Sequence, residues 1–479
     1  MTAGVAAGHP ATAEVGLRTL AAGGSAADAA VSAMLACCVA ESILTGIGGG
    51  GFATYYDAAT ASVTCLDFFC SVPGLDDDVR TDPMVPIEVT FGEVPMSYMI
   101  GGASVAVPGV PAGAGEVHRR WGRLPWQRVV EPAITLAASG VVLPAAQART
   151  LVSVAPALVP GDGAEIYAPG GRLLQGGDRL YHPGLDNALT MLAEQGPSSF
   201  YTGTIGDLTV KAVREAGGCL GSDDMAAYRV TSVPVAQARL GRHTVSARTD
   251  LNRTIATIAA LPSRLPSMRH GRRAVAVARA LISQGRGRLG DTSNISVVDS
   301  DGNACVITLT LGIGSGVWVP DHGIHLNSML GEGELITPGL APGVRMSSNM
   351  CPLVVSDGKG ELVLAAGSAG ASRIRTALIG TLIGVLVDGR STADAIAAPR
   401  FHAVAEGLAD SMPVIHAEPD YPEEELAALA KAGFLVNQWD HFSHYFGGVS
   451  AVGRAGAAGD PRRGGVGALL APKVPAIMN

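Results

Sequence analysis

The chain has 479 residues, 47% hydrophobic and 16% charged, enough to bury a large core in two or three domains or in one big α/β unit. A net charge of −8 and a pI near 5.8 leave no basic field for nucleic acid or an anionic membrane surface, so the expected partner is a small-molecule substrate. The opening MTAGVAAGHPATAEVG lacks the basic segment and apolar run of a signal peptide, and no stretch approaches the ~20 apolar residues of a membrane span; the sequence reads as that of a cytoplasmic protein.

Residues 11–42 read as Ala-rich helix interrupted at 21–25, with the second piece, 26–40, buried on most sides. It runs into GlyIleGlyGlyGlyGlyPhe at 46–52, which has no following Lys-Ser/Thr and is therefore close-approach backbone rather than a phosphate loop. Residues 52–56 and 62–69 pattern as paired strands around a turn near Asp57. From about 110 to 245 helical patterns dominate, one of them starting near Pro125; 246–290 turns rich in Arg, Ala and Pro, with LPSRLPSMRHGRR at 261–273 resembling a surface linker ahead of a helix around 274–283.

At Thr292 the texture changes. NISVVDSDGNACVITLTLG has two β-rich halves joined by SerAspGlyAsn, a tight-turn signature for an antiparallel hairpin, and CPLVVSDGKGELVLAAG repeats the pattern. Helices are expected at 373–388 and 392–398. The seven cysteines are odd in number and scattered without CxxC pairs, which fits core packing rather than a disulfide framework or a zinc site. His118, His322 and His325 lack a spaced acidic or cysteine set, so no metal is expected.

A threonine that opens a strand is a good β-former and nothing more, unless its α-amine is free. That amine, with an ordinary pKa of about 8, can then take the hydroxyl proton and make the side chain a nucleophile. TSNISVVDSDGNACVITLTLGIGSGVWVPDHGIHLNSML, which begins at Thr292, resembles the region after the processing site of the gamma-glutamyltranspeptidase family, TTHxSVVDxDGNAV followed by YTLN, GSG and GILLNN. Further segments agree in order: GHPATAEVGLRTLAAGGSAADAAV with GIGGGGF, VAVPGVPAG with WGRLPWQRVVEPAITLA, SFYTGTIG, and RMSSNMCP with GSAGASRIRT and APRFH.

The resemblance implies an N-terminal-nucleophile hydrolase, an α/β protein with a four-layer αββα sandwich and no metal or organic cofactor. It implies a precursor cut between Asp291 and Thr292 into residues 1–291 and 292–479, which stay associated as a heterodimer within one interleaved domain. Thr292 then matches the catalytic threonine and Thr310 the threonine that orients it. Gly370 and Ala371 match the pair whose backbone N–H groups form the oxyanion hole, and Ser348 with Asn349 matches a SerSer pair that holds substrate.

The departures concern the substrate. The family grips the glutamyl α-carboxylate with an Arg in a segment of the type LDxREtAP; here that segment is LeuAspPhePheCysSerValPro, and Phe69 stands in place of the Arg. Gly312 replaces the asparagine of YTLN, and Met329 stands where that family has a polar residue. Glu332 matches the acidic partner of the substrate amine. Acyl chemistry with weakened gamma-glutamyl recognition is therefore expected. Two alternatives stand beside it: a C–C bond hydrolase acting on a keto-acid side chain in actinobacterial 4-alkylproline metabolism, resembling family homologues in antibiotic biosynthesis, and an unprocessed binding protein.

Overall fold

The computed structural model describes residues 1–76, 80–91, 94–284, 292–333, 335–404 and 412–471. Two antiparallel sheets lie face to face. The first runs, from edge to edge, Val466–Leu469, Gly4–Ala7, Ser293–Val298, Ala304–Thr310, Gly50–Asp57, Ser62–Phe68 and Thr231–Val233. The second runs Gly456–Gly459, Gly448–Gly453, Leu362–Ala369, Leu353–Ser356, His243–Arg248 and Val235–Leu240. Both sheets draw strands from either side of residue 292.

The two sheets approach closely at their centres. Ser296 Oγ in the first donates to the Ser450 carbonyl in the second at 2.8 Å. A Cβ on Gly367 would sit 1.9 Å from the Asn294 side chain, so that position has room for glycine only. Alternation along Ser293–Val298 decides the faces: Asn294 and Ser296 look between the sheets, while Ile295 and Val297 join the apolar cluster that contains the Ala26–Ala40 helix.

That helix is buried along its whole length, as its Ala-rich composition requires of a helix packed against a sheet. Ser25 and Asp28 cap it reciprocally, and the Asp299 carboxylate accepts a bond from Ala26 N at 3.0 Å, tying the helix start to the turn after the Ser293–Val298 strand. On the outer side of the second sheet lies Ser372–Leu386, with Ile374, Leu378 and Leu382 turned into the core. Helix, sheet, sheet and helix make the αββα sandwich.

The helical reading of 110–245 holds up to Ala227 and fails beyond it. Thr231–Val233, Val235–Leu240 and His243–Arg248 are strands. Thr231–Val233 and Val235–Leu240 are edge strands, half-exposed, so alternation in VAQARL was a weak apolar signal. The helix expected around 274–283 is present as His270–Ser283, beginning inside the linker segment 261–273, and Thr254–Ala260, a helix the sequence reading did not mark, packs on it. A hairpin of Val85–Phe91 and Val94–Ile100 has no counterpart in the sequence reading.

All seven cysteines are free thiols, and six are buried. Among the described residues no helix is long and apolar enough to cross a membrane.

Candidate active site

Thr292 directly precedes the Ser293–Val298 strand and is 2% exposed. Ser293 pairs with Leu309 in the neighbouring strand, so the same register carried one residue further sets Thr310 across from Thr292. Thr310 ends its own strand, pairs with Gly50 on the other side, and its Oγ1 accepts from Gly312 N at 2.9 Å. Asp291 lies outside the described residues.

The glycines at 46–52 explain how so much backbone converges here. A Cβ on Gly49 would lie 2.2 Å from the Thr310 carbonyl oxygen, one on Gly48 2.3 Å from the His325 carbonyl oxygen, and one on Gly51 2.4 Å from the Thr308 carbonyl oxygen. These are close-approach positions, where any side chain would push the threonine strand out of place.

Gly370 and Ala371 form the turn between the Leu362–Ala369 strand and the Ser372–Leu386 helix. Ala369, the last residue before that turn, and Thr292 line one small cavity, so the chain folds the turn next to the threonine. The positive end of a helix dipole and a strand-to-helix turn are a good setting for backbone donors aimed at a developing negative charge. Gly370 has φ +114° and its Cβ would meet Gly447 Cα at 2.8 Å; only glycine fits.

Ala371 has φ +48° and ψ −113°, a conformation that L-residues avoid. Such strain costs roughly 1–3 kcal/mol, and glycine would relieve it at some cost in unfolded-state entropy. Ala371→Gly is therefore expected to raise stability by about 1 kcal/mol, read as a higher urea midpoint; a lower midpoint would mean that the alanine methyl packs better than its backbone is strained.

The substrate-side positions divide into two groups. Glu332 comes beside Gly312, whose N–H donates to Thr310 Oγ1: a Cβ on Gly312 would lie 2.4 Å from Glu332 Oε1 and 2.6 Å from Ser328 Oγ. Glycine at 312 thus makes room for the carboxyl. Phe69 goes elsewhere. Its backbone runs beside Gly50, next to Thr310, yet its ring is fully buried, stacked on Phe52 at 5.5 Å in an apolar cluster with Met329, Met346 and Met350. Ser348 and Asn349 are buried as well, at 4% and 6% exposure.

Two residues that the sequence reading passed over hold that last pair. Arg248, at the end of its strand, lies 3.7 Å over the Phe52 ring, donates to the Met350 carbonyl at 2.9 Å and pairs with Asp250 at 2.7 Å. Asp250 in turn accepts from Ser348 N at 2.6 Å. The guanidinium is therefore committed to fixing the 348–350 loop. A lone Arg-Thr-Asp at a strand end carries no sequence signal that would have marked it.

The family model for gamma-glutamyltranspeptidase matches residues 12–263 and 252–470. The chain belongs to the gamma-glutamyltranspeptidase family. Among curated relatives it is similar to Glutathione hydrolase 3 of Arabidopsis thaliana, 28% identical over 83% of this chain and 72% of that protein. It is similar also to the Acylase ACY 1 proenzyme of Pseudomonas sp. (strain V22), 27% identical over 94% of this chain and 89% of the relative. Among solved structures, the cephalosporin acylase from Bacillus halodurans superposes with a TM-score of 0.79 at 21% identity, over 98% of this chain and 95% of that one. At that identity the likeness shows the shared fold. This gamma-glutamyltranspeptidase family member is an enzyme, a hydrolase or acyltransferase of the N-terminal-nucleophile class.

Proposed function

We propose that the protein cuts itself before Thr292 and then uses Thr292 Oγ1 as the nucleophile of an acyl hydrolase or acyltransferase. The observation that carries this reading is the placement of Thr292 at a strand start, across from Thr310 and beside the turn at Gly370 and Ala371. The freed α-amine takes the hydroxyl proton, the oxygen attacks the acyl carbon, and the backbone N–H groups of Gly370 and Ala371 receive the oxyanion. Thr310 orients the nucleophile. Residues 1–291 and 292–479 remain together as a heterodimer because both contribute strands to both sheets.

Gamma-glutamyl recognition is weakened in this reading. A buried Phe69 offers an α-carboxylate no charge-assisted partner, and such a partner contributes roughly 1.5–3 kcal/mol. Glu332 remains to meet an amine, and Ser348 with Asn349 to hold the acyl group. Glutathione is accordingly expected to be turned over about 10- to 100-fold less efficiently, by kcat/KM, than an amide donor lacking the α-carboxylate. Preference for glutathione over that donor would sink the weakened-recognition part while leaving the nucleophile untouched.

The same apolar surround, with Met329 and Met346 beside Phe69, favours a second reading: hydrolysis of a C–C bond next to a keto group in a 4-alkylproline precursor. Mass spectrometry for an oxalyl-type acid released from a diketo proline precursor separates the two, and no release removes the second.

A further inference from the structure

Ser293–Val298 is held unevenly along its length. Between Ser296 and Val298 it has neighbours on both edges, with Ala6 opposite Ser296, Val5 opposite Val297 and Gly4 opposite Val298. Towards Thr292 the Gly4–Ala7 strand leaves it: Ala7 pairs only with Val466 on its other side. Ser293, Asn294 and Ile295 are therefore paired on one edge alone, with Leu309, Thr308 and Ile307. A cut before Thr292 turns this half-paired stretch into a chain terminus, and termini fray unless something ties them down.

A side chain from the helix layer is in position to do so. Glu41 caps the C-terminus of the Ala26–Ala40 helix, its N–H donating to the Cys37 carbonyl at 2.8 Å, and is 1% exposed. Its Oε2 accepts from Ser293 Oγ at 2.7 Å and its Oε1 from Thr12 Oγ1 at 2.9 Å. The carboxyl thus joins the strand start to two helices. It also faces the cavity of about 10 Å³, room for roughly one water, that Thr292 and Ala369 line from the other side.

We propose that Glu41 is a positioning residue that clasps the freed end of the small fragment through Ser293 Oγ, so that Thr292 stays aimed once its bond to residue 291 is cut. This rests on Thr292 being the processed nucleophile. Before the cut the continuous chain restrains Thr292 from both directions, so the clasp matters little to processing and much to turnover. Burial pushes the Glu41 carboxyl up, against the hydroxyls of Ser293 and Thr12 and the Cys37 thiol that favour its charged form. A glutamine, neutral and nearly isosteric, should therefore serve in its place.

The test compares Glu41→Ala, Ser293→Ala and Glu41→Gln, each normalised to the concentration of cut chains. Glu41→Ala and Ser293→Ala are expected to cut, then to show kcat lowered about 10- to 100-fold with KM little changed, the cost of a misplaced reacting group. Glu41→Gln should return kcat to within about three-fold of wild type, since it keeps the acceptor that Ser293 needs. Amide exchange at residues 293–295 should quicken in cut Glu41→Ala and not in the uncut Thr292→Ala/Glu41→Ala protein. Wild-type kcat in cut Ser293→Ala, or Glu41→Gln as impaired as Glu41→Ala, overturns the clasp. Should Glu41→Ala not fold, Ser293→Ala and Glu41→Gln decide. Failure of the underlying reading looks different, because the wild-type chain would then stay uncut.

Discussion

Thr292→Ala protein is expected to remain one uncut chain and to form no acyl adduct, however long it is incubated. The loss should be complete on both counts because, in the proposed mechanism, one oxygen performs both tasks. In the precursor the Thr292 amine is locked in a peptide bond, so Oγ1 first attacks the preceding carbonyl and water releases the resulting ester. In the cut enzyme the same oxygen attacks substrate, and removing it should lower turnover by at least about 10⁴-fold. Thr292→Ser keeps the oxygen and loses only a methyl, so it should still cut, more slowly. Denaturing electrophoresis reads the first effect, since residues 1–291 are about three-fifths of the chain. Intact mass after incubation with a reactive acyl donor reads the second. Retention of either activity in Thr292→Ala removes Thr292 from the mechanism.

Glu418→Ala is expected to destabilise the fold by about 3–5 kcal/mol, without touching the site directly. Glu418 is fully buried and accepts from Arg462 Nε and Nη2, both at 2.5 Å. Arg462 bonds Asp460 at 3.2 Å, and Asp460 pairs with Arg400 at 2.7 Å. Two carboxylates and two guanidinia, all buried, neutralise one another; removing one partner strands a charge in a medium that cannot solvate it. By contrast the exposed Arg18–Glu14 pair should contribute under 1 kcal/mol.

The network reaches the site through Asp460, which lines the cavity next to Thr292 and accepts from Val449 N at 3.0 Å. Burial alone would raise the Asp460 carboxyl, but Arg400 and Arg462 outweigh it and hold it below the usual carboxylate range. Its contribution to stability is thus complete above an unfolded-state pKa of about 3.9 and is lost as pH falls through the lower folded value. Urea unfolding of Glu418→Ala beside wild type measures the main effect, and a loss under 1 kcal/mol would show that water or relaxation compensates Arg462.

What was legible in the sequence follows from how strongly each element is constrained. The buried helix at 26–40, the hairpin on either side of SerAspGlyAsn and the glycines at 46–51 are dictated by close packing on all sides, and each stands where the sequence places it. Strand Val235–Leu240 was not legible because an edge strand needs only one apolar face, which in VAQARL amounts to two alanines and one leucine, Ala236, Ala238 and Leu240.

For the candidate site, Thr292, Thr310, Gly370 and Ala371 were singled out by ordered motifs that span the chain, and their roles rest on the proposed mechanism. Arg248, Asp250 and Glu41 were not singled out. Each is a single charged residue whose meaning lies in a partner far along the chain: Ser348 for Asp250, Met350 for Arg248 and Ser293 for Glu41. The strain at Ala371 was likewise hidden, since nothing in GlySerAlaGlyAlaSerArg says that the second alanine must take a positive φ.

The central claim is that the chain carries its nucleophile at a terminus of its own making. N-terminal sequencing of the smaller fragment, after prolonged incubation of purified wild-type protein, tests it most directly. The expected sequence is Thr-Ser-Asn-Ile, residues 292–295. A single full-length chain, or a fragment beginning at any other residue, would contradict it.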